Sequence, residues 1–531
     1  MTSHSRGTAR YIGTRRSLRF LAVALPISAI ISCQSLEVTN PNTPGVEVVY
    51  GSGENVEAAL VGAWRAFWGV AQGARSASVY PVKQLSNFGN ELASADVDVL
   101  ISGPEPRVAI DNRDQGGSLQ VKPWYDLNEA IGVARAAHQA IAIDGVQVGA
   151  VTSDAPQGVD SPRARIFAKF TLGIANVHLG LLYDQAYTAD ETTDITQFQY
   201  ELRPYGEVSA NGIRILREAI AEAAAAPPFT LPATWINGQS LSRDALIRIM
   251  HSYIVRARVY TPRTPTERAQ LPWGAILAQL DSGITANFAQ QADLLIPQTA
   301  SAYYQMSFQA TAARVNNRMV GPADTSGAYQ RWLANPLGTR NQFTVVTPDR
   351  RIHGNTPTSA GRYYTYLATQ TMSALRGTYM HSRYRNTRYL VAPSNNFHAT
   401  GLIVTMSVDE MKFIRAEALY RLGRFSEAAA LINTSRLASN LAAVTASGPP
   451  SGAACVPRRD DGTCGDLFDA IQYEKRIELY PTEAIIAYAD ARGWGKLLPG
   501  TPLHLPVPGR ELETMGFAYY TFGGGGVGSA P

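Results

Sequence analysis

A chain of 531 residues is long enough for about three average domains or one large one, and 45% apolar against 17% charged residues marks a folded globular body, which excludes a disordered or fibrous chain. The formal charge of +4 comes from residues 1–32, which carry five Arg and no acidic side chain; without them 42 basic residues face 43 acidic ones, a net of −1. Such a body lacks the basic excess that nucleic-acid binding needs.

After the Arg-rich start, residues 20–31 form a mostly apolar run bent by Pro26 and interrupted by Ser28. A bilayer span needs about 20 residues, so the run is too short to cross and fits the core of a signal peptide. It ends in Ile30-Ile31-Ser32-Cys33, and small residues before a Cys at this place resemble the bacterial lipobox, where the leader is cut and the Cys acylated. Residues 1–32 are therefore expected to be a lipoprotein signal peptide and Cys33 the lipidation site. Two or three acyl chains such as palmitate, at about 0.8 kcal/mol per buried methylene, hold a protein on a membrane without a transmembrane helix.

With Cys33 assigned to lipid, Cys455 and Cys464 remain. Pro457 and the Asp461-Gly462 pair between them are turn formers, so a disulfide closing this short exported loop is expected. Two Cys are too few for a zinc site, and the eight His never fall at the three-to-five spacing of a metal-binding helix, so neither metal nor cofactor is expected.

Residues 33–50 read as an extended tether, because Asn40-Pro41 and the nearby Pro44 exclude a helix. Apolar and small residues at three-to-four spacing then predict helices over 56–70, 124–143, 163–183, 205–226, 242–260 and 273–288, arranged in pairs. From about 289 to 405 the periodicity fades and Gly, Pro, Asn and Tyr become dense, which predicts a long irregular loop region with short strands. So long a loop region in a compact protein is usually functional. A helical stripe returns with Met411, Ile414, Ala418 and Leu422, breaks at Gly423 and resumes with Phe425, Ala428, Ala429 and Ile432. This pair resembles a tetratricopeptide helix hairpin. The expected fold is mainly α: one globular body over 51–531, with a helical part over 51–288, a loop-rich part over 289–405, a hairpin-bearing part over 406–515 and a flexible tail over 516–531.

The motifs of acyl, phosphoryl, dinucleotide and zinc-hydrolase chemistry are missing. The glycines at 523–526 follow no strand-and-helix context and read as tail. Glu474 and Glu478, with Lys475 and Arg476 beside them, read as a solvated or ion-paired helix face and not as a glycosidase pair. An enzyme is not expected.

Four stretches together resemble the SusD/RagB family of outer-membrane nutrient-binding lipoproteins, over essentially the whole mature chain. They are Cys33 with Leu36-Glu37-Val38-Thr39-Asn40-Pro41-Asn42; Trp124-Tyr125 with Ala130, Ile131 and Ala134; the hairpin from Phe413-Ile414-Arg415-Ala416-Glu417-Ala418 through Gly423, Glu427-Ala428 and Ile432-Asn433 to Arg436; and Tyr473-Glu474-Lys475-Arg476-Ile477-Glu478-Leu479 followed by Asp490 and Leu505-Pro506-Val507-Pro508. Tyr480-Pro481-Thr482-Glu483-Ala484 departs from the family's pattern after its Glu-Leu. The resemblance implies a helical lid, lipid-anchored on the outer membrane and facing the exterior. It would capture a nutrient and hand it to a TonB-dependent, SusC-like barrel transporter.

For an oligosaccharide, apolar ring faces stack on aromatics while Asn, Arg and Asp read the hydroxyls. The loop region offers Tyr303, Tyr304, Arg314, Asn317, Trp332, Tyr363, Tyr364 and Tyr366 as ligand-binding candidates. A single loop tyrosine ordinarily packs its loop onto the body, but Tyr363-Tyr364-Thr365-Tyr366 is dense enough that alternate rings of an extended chain should face outward. The competing reading is a lipid-anchored tetratricopeptide-type scaffold for envelope assembly.

Overall fold

The computed structural model describes residues 49–73, 79–94, 107, 109–113, 119–195, 197, 200–293, 296, 299–304, 313–369, 380–388 and 400–522, all within the compact unit Gly45–Pro531. Cys33, the leader, the tether at 36–44 and the glycines at 523–526 lie outside the described residues.

Helix α1 (Gly53–Gln72) begins where Ser52 Oγ accepts from the N–H of Asn55, and it ends at Gly73, whose φ of 71° stops the helix at no steric cost. After α2 (Val79–Phe88), the long helices α3 (Val121–Ala142), α4 (Ser161–Leu182), α5 (Tyr205–Ala225) and α6 (Arg243–Tyr260) pack against one another in sequence order, α1 on α3, α3 on α4, α4 on α5 and α5 on α6. From Ile166 to Leu182 every residue of α4 is buried, so this helix is the centre of the body. Glycines allow α5 to approach it: a Cβ on Gly212 would stand 2.7 Å from the Gly173 carbonyl oxygen, and one on Gly180 2.7 Å from the Ser209 nitrogen. Aromatic rings fill the space between α1, α4 and α6, with Phe67 edge-on to His178 at 4.8 Å and Trp64 stacked on Phe170 at 5.8 Å.

The short helices α7 (Pro265–Ala269) and α8 (Trp273–Asp281) follow. The helix expected over 273–288 stops at Asp281, because Ser282-Gly283 breaks it and Phe288, Gln290 and Ala292 then alternate buried with half-buried neighbours. That period of two makes Phe288–Asp293 a strand, paired antiparallel with Thr400–Met406 at the far end of the loop region. Within that region Ala313–Val315 pairs with Leu92–Ser94 and Tyr364–Tyr366 with Tyr384–Asn386, and two short helices, α9 (Asn317–Val320) and α10 (Ala328–Ala334), lie between.

Helices α11 (Val408–Arg421) and α12 (Phe425–Ala438) form the hairpin, capped at Ser407 and turned at Gly423, where φ is 75°. Then come α13 (Leu467–Leu479), opened by a capping box between Asp466 and Asp469, α14 (Ala484–Gly493) and α15 (Gly509–Met515). Phe413, Ala416, Ala428, Ile432, Leu467 and Ile471 make a second apolar cluster joining α11, α12 and α13. The chain is mainly α, as its periodicity indicated. No helix of the described residues is long and apolar enough to cross a membrane.

Three buried charge networks tie these elements together. Arg256 of α6 pairs with Glu410 at 2.6 Å and Glu483 at 2.7 Å, and His178 meets Glu483 at 2.9 Å. Arg268 binds Glu417 at 2.6 Å and Asp490 at 2.8 Å, and Asp490 also accepts from Lys475 at 2.8 Å. Arg351 binds Asp349 at 2.7 Å, Glu474 at 2.7 Å and Glu478 at 2.9 Å, with Arg436 on the other side of Glu474 at 3.3 Å. Glu474 and Glu478 are thus ion-paired but not solvated: their counter-charges come from Arg351 and Arg388 of the loop region and Arg436 of α12, and both carboxylates lie inside the protein. The charged residues of the motifs at 413–436 and 473–490 that enter these networks serve the architecture of the body.

Candidate functional site

The walls of one described cleft are assembled from five segments, α13 among them. Asp469, Gln472, Tyr473 and Arg476 lie on one side of α13 at helical spacing and form its floor, while Ala470, Ile471 and Ile477 face the core. The loop from Pro457 to Asp461 is the roof. Trp494 to Leu498, after α14, close one end; Gly89 and Asn90 after α2, with Arg318, Pro322 and Tyr329, close the other. The cleft encloses about 550 Å³, inside the range of roughly 300–1,000 Å³ typical of small-ligand sites.

The roof is fixed on both sides. Cys455 and Cys464 are disulfide-bonded across the loop base, the Arg458 N–H donates to the Pro322 carbonyl at 2.7 Å, and the Tyr329 hydroxyl donates to Asp460 at 3.1 Å. Arg459 reaches down to Asp466 at 2.8 Å and Asp469 at 2.7 Å, joining roof to floor. Chain-entropy reasoning for so short a loop limits the disulfide's contribution to about 2–3 kcal/mol. Cys455→Ser should therefore leave the body folded while loosening the cleft roof. Mass spectrometry of an unreduced digest should recover the linked peptides; two free thiols would contradict the bond.

The residues expected to bind sugar are placed differently. Tyr303, Tyr304, Trp332 and Tyr364 are buried, as are Arg314 and Asn317; Tyr363 is nearly so and Tyr366 is half-buried. None of the eight is among the described residues lining the cleft. The Tyr303 hydroxyl donates to Glu91 at 2.6 Å, and that of Tyr363 to Glu478 at 2.8 Å. Tyr366 packs edge-on against Tyr384 at 5.8 Å. Trp332 stacks on Tyr329 at 6.0 Å under the guanidiniums of Arg318 and Arg340. Arg314 donates to the Thr369 carbonyl at 2.8 Å, and Asn317 to that of His381 at 3.1 Å. Burial and the neighbouring Arg383 pull the Arg314 guanidinium down to about 10. These side chains anchor the loop region to the body, so the expectation of an exposed stacking surface there is corrected: the hydroxyls find buried carboxylates and the rings fill space under short strands. Trp332 still bears on the cleft indirectly, since it supports Tyr329 from behind.

The sequence reading missed Gln472, Tyr473, Arg476, Trp494 and the charged loop at 458–461. The 469, 472, 473, 476 spacing was visible as a helix face, but the walls that make it concave come from distant segments. Burial holds the Glu91 carboxyl, behind the Asn90 wall, up at about 7 despite the Tyr303 hydroxyl and Arg476 nearby. Among the described residues there is no group of three or more His, Cys, Asp or Glu placed to hold a metal ion.

Solved structures match this architecture along nearly its whole length. A SusD superfamily protein from Bacteroides thetaiotaomicron superposes with a TM-score of 0.53 at 11% identity, covering 88% of this chain and 98% of that one. The chain has the SusD-like fold. A SusD superfamily protein from Bacteroides fragilis gives 0.53 at 14% identity over 88% and 98%, and a SusD-like carbohydrate binding protein from Bacteroides fragilis gives 0.51 at 14% over 85% and 87%. No family model and no curated protein matches the chain, so its likeness to SusD-like proteins is carried by structure at low identity.

Proposed function

We propose that this chain is a lipid-anchored outer-membrane protein of SusD type that binds an oligosaccharide in the α13 cleft and passes it to a TonB-dependent barrel transporter, without catalysing a reaction. The observation that carries the reading is the cleft: its volume suits a few sugar rings, the aromatic side chains of Tyr329, Tyr473 and Trp494 line it, and Gln472, Asp460 and Arg459 bring groups that pair with hydroxyls. One of the structural neighbours is described as a carbohydrate binding protein, which supports a sugar ligand for this fold.

Calorimetric titration of the mature protein against a panel of neutral and acidic oligosaccharides, repeated with Gln472→Ala and Asp460→Ala, tests the site. Gln472→Ala should weaken binding several-fold, because a buried hydrogen-bonding group left unpaired costs about 1–3 kcal/mol, and Asp460→Ala, at an exposed position, should weaken it less. Binding that neither change weakens would place the site elsewhere. Failure of the whole panel, with the protein still co-purifying with envelope proteins, would favour the scaffold reading. Metabolic labelling with a fatty-acid analogue should mark the wild type and not Cys33→Ser; equal labelling of both would refute the anchor.

A further inference from the structure

The charges lining the cleft do not balance. Arg318, Arg458, Arg459, Arg476 and Lys496 face it with only Asp460, Asp461 and Asp469 in return. Two of the three carboxylates are ion-paired, and the third, Asp461, keeps its charge, which leaves the lining two positive charges in excess. Asp460 pairs with Arg318 at 3.6 Å, and Asp469 with Arg459 at 2.7 Å and Lys496 at 3.7 Å. Asp461 accepts from the backbone N–H and hydroxyl of its neighbour Thr463 at 2.9 and 2.6 Å.

Arg458 and Arg476 are therefore the cations left over. Arg476 uses one nitrogen, Nη2, to donate to the carbonyls of Gly89 and Asn90 at 3.1 and 2.9 Å. Arg458 donates to the carbonyls of Gly452 and Gly462 at 2.8 and 3.4 Å. Neither has a carboxylate within ion-pair distance among the described residues. These carbonyl contacts orient both guanidiniums without neutralising them. Glu91 and Asp490 lie near Arg476 without pairing to it, and burial raises the Glu91 carboxyl to about 7, so at neutral pH it is only partly ionised and offsets part of that charge.

We propose that the cleft selects oligosaccharides bearing anionic groups, a uronate carboxylate or a sulfate ester, which dock on Arg476 on the floor and Arg458 in the roof. This rests on the sugar-binding reading and names the class of sugar. A guanidinium presents a planar fork of donors that matches an oxyanion, and it gains most where its charge is uncompensated and partly desolvated, as in a cleft.

The test uses three probes on the mature protein: trigalacturonate, its methyl ester, which keeps the sugar skeleton without charge, and a sulfated galactotriose. Calorimetry at 50 mM salt should show trigalacturonate, the sulfated trimer or both binding at least tenfold tighter than the ester. The preference should shrink as salt is raised, since screening weakens charge pairing. Arg458→Gln should bring acid and ester within about threefold of each other. Arg476→Lys should narrow the gap too, by exchanging the fork for a point charge while leaving a cation on the floor. Preference for the sulfated trimer alone would support the proposal with sulfate as the anion. Equal binding of charged and uncharged trimers would overturn the proposal while leaving sugar binding in place, and no binding of any trimer would overturn both. An acid preference that survives both substitutions would also overturn it, because the charge would then be read elsewhere.

Discussion

Arg351→Met is expected to lower the unfolding free energy by about 3–5 kcal/mol, among the largest losses available to a single substitution in this chain. The guanidinium is fully buried and is the hub of a network that ends on three carboxylates, Asp349, Glu474 and Glu478. Methionine fills much of its volume, so the cost does not come chiefly from a cavity. It comes from leaving acidic groups in the interior with less counter-charge, Arg436 still reaching Glu474 and Arg388 still reaching Glu478 at 3.1 Å. Each stranded carboxylate must then take up a proton or draw in water. Glu474→Gln should cost less, because Arg351 keeps Asp349 and Glu478. Combining the two changes should cost less than the sum of the singles, because each removes part of the other's penalty. Urea denaturation followed by circular dichroism measures all three; a loss below about 1 kcal/mol for Arg351→Met would show that the network contributes little net stability.

The same network explains how far the sequence could be read. The long helices were legible because their apolar stripes are local properties, and the structure adds caps from Ser52, Ser242 and Ser407 within a few residues of where those stripes begin. Burial of charge is not local. Glu474 and Glu478 make the same i, i+4 pattern on a wet face as on a dry one, and distant partners such as Arg351 and Arg436, 123 and 38 residues before Glu474, decide between them. The loop tyrosines were misread for the same reason, since the acceptors of Tyr303 and Tyr363 are Glu91 and Glu478, 212 and 115 residues away. Aromatic density in a loop marks where rings are needed, but not whether they face solvent or a carboxylate. The cleft shows the converse: its floor and roof are neighbours in sequence, yet concavity needs Gly89, Arg318 and Trp494 from three other segments.

Glu91 should make stability fall as pH rises from about 4.5 to 7. Its carboxyl is buried, accepts from the Tyr303 hydroxyl at 2.6 Å and lies near Ser86, Arg476, Asp490, Tyr364 and Tyr480; burial dominates and lifts it from 4.5 to about 7. In this window the unfolded chain has lost the proton and the folded chain keeps it, so unfolding releases a proton and higher pH favours unfolding. The contribution is fully present below about 4.5 and gone above about 7, and that shift corresponds to roughly 3 kcal/mol at about 1.4 kcal/mol per pH unit. Other groups titrate across the same range, with Asp184 raised to about 7 and His381 and His504 lowered to about 4 and 3, so the total pH profile does not isolate one residue. Glu91→Gln does, because glutamine keeps an oxygen for Tyr303 and cannot ionise. The wild type and Glu91→Gln should have similar stability at pH 4, and the variant should be more stable by up to about 3 kcal/mol at pH 8. Urea titrations of both proteins at intervals from pH 4 to 8 give the difference curve; a flat difference would show that Glu91 ionises in the folded protein as readily as in the unfolded chain.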